Sequence, residues 1–139
     1  MKFIEKLLSK NLYNDKKTAA VSIGALGEEA AVKALKKQGY RIIDRNYRTR
    51  FGEIDVIARD GEYICFVEVR LRKNNDYGSP AESIDKRKRN RIITTAKIYA
   101  ASENIYDAPM RFDVVLINAE ASAGKLKNPG IEIIRNAFY

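Results

Sequence analysis

A β-hairpin pattern between residues 51 and 72, FGEIDVIARDGEYICFVEVRLR, restricts the choice of folds more than any other stretch of this sequence. Two apolar runs flank Asp60-Gly61, a dipeptide that is typical of two-residue hairpin turns. The first run contains Asp55 and the second contains Glu68, each among residues that favour a buried strand. A buried carboxylate is costly unless a cation or a metal compensates its charge. The hairpin therefore predicts that both acids have a specific partner.

The predicted register of this hairpin places the two acids on one face of the sheet. Side chains alternate along a strand, and a turn at Asp60-Gly61 makes Asp55 and Glu68 diagonal neighbours, about 7–8 Å apart at the backbone. From that spacing both carboxylates can reach one cation, which predicts a metal site. The alternative is a solvated sheet edge at which the acids pair with Arg70 or Arg72.

The remaining sequence predicts helices before and after these strands. Residues 18–38 have helical periodicity and end at Gly39, a common helix stop. Residues 79–82, SPAE, form a capping box with proline at the first helical position. The helix that it opens is predicted to run to about Ser102, with Asp85 as a second starting point. The predicted strands are residues 41–47, 53–58, 62–71, 111–118 and 131–135, and residues 119–130 are predicted to be a flexible, polar loop.

This order of helix, three strands, helix and two strands predicts an α/β fold with a mixed β-sheet flanked by helices. At 139 residues the chain is expected to form one domain, residues 1–139. Residues 1–16 are predicted to be an N-terminal helical extension, because Phe3, Ile4, Leu7 and Leu8 share one face of a short amphipathic helix.

A third acid, Glu28, is in register with the apolar stripe of the first long helix. Ala31, Val32 and Leu35 follow it at three, four and seven residues, so Glu28 lies on the packing face of the helix. A lone glutamate at the margin of such a face usually extends into solvent. Glu28 is therefore of interest only in combination with the two hairpin acids.

The run KRKRNR, residues 86–91, places five cations in six positions of the second long helix. Lys88 shares its helical stripe with Ile84, Ile92 and Tyr99, so it is predicted to lean toward the sheet. The other cations of the run are Lys86, Arg87, Arg89 and Arg91, of which the first three are predicted to point outward. Such a run is either a solvated helix face or a surface that grips phosphate.

A net charge of +8 and an isoelectric point near 9.6 favour a polyanionic partner, most often nucleic acid, although many basic proteins bind no polyanion. The sequence contains no His, which excludes histidine-based hydrolases and zinc sites with histidine ligands. With Cys65 as its single cysteine, the chain forms no internal disulfide. No stretch is long enough to span a bilayer, and the opening residues lack the apolar run of a secretory signal. We therefore expect a cytoplasmic protein with no membrane partner.

Six short motifs together resemble the YraN family over about residues 20–138. They are GEE at 27–29, GYRIIDRNYR at 39–48, GEIDVIARDG at 52–61, FVEVRLR at 66–72, YGSP at 77–80 and RFDVV at 111–115. This family is classed by similarity with restriction-endonuclease-like folds and archaeal Holliday-junction resolvases. The resemblance therefore implies a restriction-endonuclease-like core.

Nucleases of this kind share a D…(D/E)xK site on a hairpin, with a further acid on a preceding helix. By position, Asp55 matches the first acid, Glu68 the second and Glu28 the helical acid, while Arg70 occupies the lysine position. Lys88 resembles a basic residue on the following helix. Arg70 departs from the nuclease pattern, because an arginine does not release its proton and so does not act as a general base.

The resemblance and the residue pattern together predict a metal-dependent phosphodiesterase that acts on DNA and selects structure rather than sequence. Asp55, Glu68 and Glu28 are the predicted ligands of Mg²⁺ or Mn²⁺, with Glu28 acting through a bound water. Arg70 and Lys88 are predicted to clamp the scissile phosphate. The predicted contacts to the flanking backbone are Lys86, Arg87, Arg89, Arg91 and Arg72.

Two other functions are compatible with the same sequence. The first is a nucleic-acid-binding module that keeps the fold but has lost efficient cleavage, which Arg70 favours. The second is a protein-interaction scaffold whose basic surface meets an acidic partner, in which case DNA affinity depends little on salt. A homodimer is implied by analogy with resolvases, which pair two active sites across a junction.

Overall fold

The structure is a computed structural model that describes residues 22–72, 84–122 and 124–139. In these ranges it contains two helices and five strands. In chain order they are α1 (Ile23–Lys37), β1 (Arg41–Thr49), β2 (Gly52–Asp60), β3 (Tyr63–Arg72), α2 (Lys86–Ser102), β4 (Met110–Ser122) and β5 (Lys125–Phe138). The predicted N-terminal extension and the predicted capping box at residues 79–82 lie outside the described residues.

The strands form one sheet in the order β1-β2-β3-β4-β5. β3 and β4 are parallel, and the other neighbouring strands are antiparallel. A parallel pair needs a crossover connection, which contains α2. The predicted element order and the predicted mixed sheet are thus confirmed, and the arrangement is compatible with a restriction-endonuclease-like core. Neither of the described helices combines the length and the apolarity that crossing a membrane requires.

Each helix packs against its own core cluster on the sheet. α1 begins after Ser22, whose side chain accepts a hydrogen bond from the Ala25 amide, and its buried stripe packs in a cluster that includes Val67. α2 begins after Asp85 and packs in a second cluster that includes Phe66. Because Phe66 and Val67 are consecutive on β3, the two clusters lie on opposite faces of the sheet. A charged side chain on the central strands is therefore surrounded by protein unless it lies near a strand end.

The turn of the β2–β3 hairpin lies one residue later than predicted. Asp60 pairs with Tyr63, so the turn consists of Gly61 and Glu62 rather than Asp60-Gly61. Asp60 stays in the strand because its carboxylate binds Arg111 of β4 at 2.7 Å. Gly61 adopts a positive φ of 60°, which a residue without a Cβ reaches at little cost.

The new turn moves the hairpin register by two residues. Val56 lies opposite Val67 instead of Cys65, and the same register places Asp55 level with Glu68 rather than diagonal to it. Because side chains alternate with a period of two, a two-residue shift leaves the predicted alternation intact. Ile54 is an exception that the alternation did not predict, since it packs in the core on the α2 side, beyond the last regular pair of the hairpin.

Residues 119–130, predicted to be a flexible loop, are instead largely strand. Ser122 at the end of β4 pairs with Lys125 at the start of β5, and Gly124 between them has a positive φ of 73°. The loop prediction was wrong because β5 is a largely exposed edge strand, so its sequence lacks the apolar alternation of a half-buried one. Pro129 fits in this strand because an edge position does not require every amide to donate.

Candidate active site

The two hairpin acids converge where β2 and β3 approach the first turn of α2. Regular pairing of the two strands ends at Val56 and Val67. Beyond that pair, Asp55 Oδ2 accepts a hydrogen bond from the Val69 amide at 2.8 Å. The charge of the Asp55 carboxylate also raises the pKa of Glu68, so the two side chains lie close to each other. The structure thus brings together one acid from each strand of the hairpin.

Glu68 has only 4% of its surface exposed, and its Oε1 lies 2.6 Å from Lys88 Nζ. Lys88 therefore leans toward the sheet, as its helical stripe predicted. Burial and the neighbouring Asp55 carboxylate raise the pKa of Glu68 to about 7, against the opposing effects of Lys88 and Arg70. Burial also raises the pKa of Asp55, and the charge of Glu53 acts in the same direction. Closely spaced, buried carboxyl groups of this kind hold protons tightly unless positive charge is added.

Glu28 approaches this pair from α1 without joining it. Burial raises the pKa of Glu28 and the charge of Asp55 raises it further, while Arg45 and Asn46 act in the opposite direction. The Oε1 atom of Glu28 is buried and has no hydrogen-bond partner among the described residues. In the described ranges, no three His, Cys, Asp or Glu side chains are arranged to hold one metal ion. The predicted set of three acids is therefore not assembled as a direct ligand shell.

A cleft of about 530 Å³ opens beside the two acids. Its lining residues are Gly52, Glu53, Asp55, Glu68, Asp85, Arg87, Lys88, Arg91 and Ile92. Three of the cations predicted on α2 thus border the cleft that contains the acid pair. This distribution of charge favours a ligand that carries both a cation and an anion, such as a metal-bound phosphate.

Two of the remaining α2 cations behave differently from each other. Lys86 is exposed, as predicted, but does not line the cleft. Arg89 was predicted to point outward, and this prediction is wrong, because Arg89 is partly buried and its Nε has no partner among the described residues. The reason is that the buried face of α2 is wider than the helical stripe that contains Lys88, Ile92 and Tyr99. Ala96 and Ala100, seven and eleven residues after Arg89, are both buried.

The two arginines that follow Glu68 on β3 have different surroundings. Arg70 is partly buried, and its charge favours the ionised form of Glu68. Arg72 donates a hydrogen bond from its Nε to Asn118 Oδ1 of β4 at 3.1 Å. The structure therefore places Arg70 within electrostatic range of the acids and ties Arg72 to the neighbouring strand.

Sequence reasoning missed the roles of two residues in this cleft. A Cβ at Gly52 would meet Thr95 Oγ1 at 3.0 Å and the Arg91 carbonyl oxygen at 3.2 Å, so glycine allows β2 to lie directly against α2. Asp85 was predicted only as a helix start, but its carboxylate also lines the cleft and accepts a hydrogen bond from the Lys88 amide at 2.8 Å. A glycine at the start of an acid-bearing strand is a signal for close backbone approach that sequence alone offers.

A second charged cluster lies at the turn end of the hairpin and has its charges paired. The buried Asp113 carboxylate accepts hydrogen bonds from Arg111 Nε at 2.9 Å, from the Tyr40 hydroxyl at 2.8 Å and from the Asn136 amide at 2.9 Å. Arg111 also binds Asp60. Burial and the hydrogen bond to Asp113 raise the pKa of Tyr40. Arg111 and Asp113 of the RFDVV motif thus connect β4 to β2 through Asp60 and to β5 through the Asn136 amide.

The fold and the site together define a class of α/β protein. In this class two acids lie close together on a central hairpin, and the basic first turn of the crossover helix lies beside them. A sequence model of the family described as "Uncharacterised protein family UPF0102" matches residues 27–117. The chain belongs to this family, which is the YraN family that its motifs resemble. The matched range includes Asp55, Glu68, Arg70 and all of α2.

Relatives from three organisms match most of the chain. A UPF0102 protein of Acetivibrio thermocellus is 42% identical over 126 residues, which cover 90% of this chain and 94% of the relative. A UPF0102 protein of Persephonella marina is 44% identical over 83% of this chain and 91% of its own length. A UPF0102 protein of Hahella chejuensis is 43% identical over 76% of this chain and 85% of its own length. These names state membership of the family and no activity.

Proposed function

We propose that this protein is a divalent-metal-dependent phosphodiesterase that cleaves DNA according to its structure rather than its sequence. One observation carries the proposal: Asp55 and Glu68 line the same cleft, and basic residues of α2 border it. Such a pair is costly to bury unless its position serves a ligand. Membership of the family is compatible with this activity and does not by itself define it.

The chemistry of the acid pair fits a hard divalent cation. Carboxylate oxygens are the ligands that Mg²⁺ and Mn²⁺ prefer, and Mg²⁺ commonly takes one or two protein carboxylates with waters and substrate phosphate completing its shell. Asp55 and Glu68 would supply these two carboxylates. The Oε1 atom of Glu28, which has no hydrogen-bond partner among the described residues, fits a water-mediated contact. When bound, the cation would lower the pKa of an attacking water and stabilise negative charge on the phosphate.

The cations beside the pair have separate roles in this proposal. Lys88, whose Nζ now balances Glu68 at 2.6 Å, would turn its ammonium toward the substrate phosphate once the acid pair holds other positive charge. Arg70 would stabilise charge on the phosphate and would not accept a proton, because a guanidinium keeps its proton in proteins. Arg87 and Arg91 would hold the phosphates on either side.

The substrate class follows from what these side chains can read. Lysine and arginine contacts to phosphate position a nucleic acid without reading its bases. We therefore propose that the enzyme selects its substrate by the shape of the DNA. The predicted homodimer and the predicted cytoplasmic location remain parts of this proposal.

A second candidate function is nucleic-acid binding without efficient cleavage. The observation that favours it is the short Lys88–Glu68 ion pair, which already satisfies one of the two acids without a metal. Arg70 at the lysine position favours it as well, because an arginine does not act there as the general base that a lysine could be.

A cleavage screen separates the two functions. Wild-type protein and the Asp55→Asn variant are incubated with duplex, flap, junction and single-stranded DNA in Mg²⁺ and in Mn²⁺, and binding is measured in parallel. We expect wild-type protein to cut at least one structure, and Asp55→Asn to bind that DNA without cutting it. Binding without cleavage by the wild-type protein under every condition would support the binding module instead.

A further inference from the structure

We propose that a groove next to the acidic cleft binds an unpaired nucleotide, whose base stacks on Phe51 while its phosphate meets Arg87 and Arg91. The inference rests on the proposed function in that it names the kind of substrate segment that reaches the same site. It concerns binding alone, so it does not require the acid pair to be catalytic.

Phe51 occupies an unusual position for an apolar aromatic residue. Thr49 pairs with Gly52, so Arg50 and Phe51 form the two-residue turn between β1 and β2. Phe51 is 45% exposed at this turn. Its amide donates a hydrogen bond to Thr49 Oγ1 at 3.1 Å, which helps to fix the turn. Turns usually carry small or polar residues, so this turn presents an aromatic ring to solvent where a polar side chain is more common.

The surroundings of Phe51 match the chemistry of a nucleotide. The Arg50 guanidinium lies over the Phe51 ring at 4.7 Å from its centroid, which forms a planar, cationic surface. A groove of about 390 Å³ runs between this turn and α2, within the range of small-ligand sites, about 300–1,000 Å³. Its lining residues are Arg50, Phe51, Arg87, Asn90, Arg91 and Thr94. Aromatic side chains beside arginines are the usual platform for unpaired bases.

The groove and the acidic cleft are adjacent parts of one surface. Arg87 and Arg91 line both of them. Gly52, which follows Phe51 directly, lines the cleft and lies close against Arg91 and Thr95 of α2. The close packing at Gly52 therefore holds the turn in place beside the acid pair. A strand whose phosphate lies at Asp55 and Glu68 would carry its neighbouring nucleotide into this groove.

The occupant is an unpaired nucleotide rather than a base pair. In a duplex each base face is covered by its neighbours, and only an unpaired or extruded base presents a free face to an aromatic ring. The arginines match the negative charge of the backbone, and the Asn90 amide adds a donor and an acceptor within the groove. An uncharged apolar partner would leave these cations without compensation.

The test compares Phe51→Ala, Phe51→Trp and Tyr106→Ala, the last an exposed aromatic residue that does not line the groove. Affinities for a labelled oligothymidylate of about 12 nucleotides and for a duplex of matched length are measured by fluorescence anisotropy in EDTA. We expect Phe51→Ala to lose on the order of tenfold in affinity for the single strand and less than about twofold for the duplex. Phe51→Trp and Tyr106→Ala should both bind like wild type.

A fluorescent base gives an independent measure of stacking. With 2-aminopurine in the single strand, wild-type protein should quench the base on binding, and Phe51→Ala should not. Equal losses of single-strand and duplex affinity in Phe51→Ala, or unchanged affinity for both, would overturn the inference. Binding to anionic lipid vesicles that depends on Phe51, with unchanged oligonucleotide affinity, would overturn it in favour of a membrane contact.

The outcome is separable from that of the proposed function. Loss of single-strand affinity in Phe51→Ala, together with no cleavage by wild type, retains the groove and rejects the phosphodiesterase. Cleavage that needs Asp55 but is unaffected in substrate choice and affinity by Phe51→Ala retains the phosphodiesterase and rejects the groove.

Discussion

At the scale of single residues, Glu68 makes the stability of the fold depend on pH. Its carboxyl group is almost fully buried beside Asp55, and these two conditions raise its pKa to about 7 from an ordinary value of 4.5. The folded protein therefore binds this proton more tightly than the unfolded chain does. Protonated Glu68 therefore contributes to the free energy of unfolding. This contribution is fully present below about pH 4.5 and is lost as the pH rises through about 7.

Glu68→Gln, which carries no ionisable group, should therefore gain stability relative to wild type as the pH rises. We expect the difference in unfolding free energy between variant and wild type to shift by about 1–3 kcal/mol in favour of the variant between about pH 5 and pH 8. Urea denaturation in EDTA at both pH values measures it. Glu29→Gln, in which an exposed ion pair with Arg45 is removed, serves as control and should show a much smaller shift. A difference between Glu68→Gln and wild type that is constant with pH would contradict this reading.

Residue patterns predicted which side chains lie together better than they predicted the register of the hairpin. Asp55, Glu68 and Lys88 could be selected from alternation along strands and from helical spacing, because both periods survive small errors in position. The two-residue register shift was not predictable from the hairpin alone, since the ion pair between Asp60 and Arg111 that holds Asp60 in its strand spans distant parts of the chain. Arg89 was misplaced because the width of a buried helix face depends on what packs against it.

At the scale of secondary-structure elements, the site depends on how closely β2 approaches α2. Gly52→Ala would place a Cβ at 3.0 Å from Thr95 Oγ1 and 3.2 Å from the Arg91 carbonyl oxygen, so strand and helix would have to separate. We expect a loss of about 1–3 kcal/mol in unfolding free energy. Nucleic-acid affinity should fall as well, because Arg91 borders both the cleft and the groove.

Gly24→Ala is the matched control for this substitution, and chemical denaturation compares the two. Gly24 lies in α1 with no atom within 4 Å of an added Cβ. Because alanine is the better helix former, Gly24→Ala should be neutral or stabilising by up to about 1 kcal/mol. A Gly52→Ala protein as stable as wild type would show that the approach of β2 to α2 is not tight.

The elements themselves were largely predictable, with one instructive exception. The order of helices and strands followed from periodicity, the stop at Gly39 and the proposed start at Asp85, and these elements are in place. The pairing of the end of β4 with the start of β5 was not predicted. Residues 119–130 are polar, and they form strands by pairing with each other and not by burying an apolar face. Backbone pairing of exposed edge strands leaves little trace in sequence.

At the scale of the whole molecule, the positive charge includes cations on both described helices. The net charge is +8, and Arg87 and Arg91 border the acidic cleft whereas Lys36 and Lys37 lie in the last turn of α1. The double variant Arg87→Ala/Arg91→Ala should lower the slope of log affinity against log salt for duplex DNA by about two, since each phosphate contact contributes about 0.9.

Lys36→Ala/Lys37→Ala removes the same charge from a different element and is the control. Titrations between about 50 and 200 mM salt measure both slopes. Only the α2 double variant should change its slope. Equal changes in the two variants would indicate attraction to net charge rather than a defined surface, and a wild-type slope near zero would favour an acidic protein partner.

Chelation of one dication by the hairpin acids is the claim on which the whole account depends, and metal binding tests it without requiring catalysis. Isothermal titration of Mn²⁺ into wild type, Asp55→Asn, Glu68→Gln and Glu29→Gln measures stoichiometry and affinity directly. The account predicts at least one Mn²⁺ per chain in wild type and in Glu29→Gln, and loss of that binding in both site variants, because each removes one of two carboxylate ligands. Equal Mn²⁺ binding by Asp55→Asn, Glu68→Gln and wild type would contradict it.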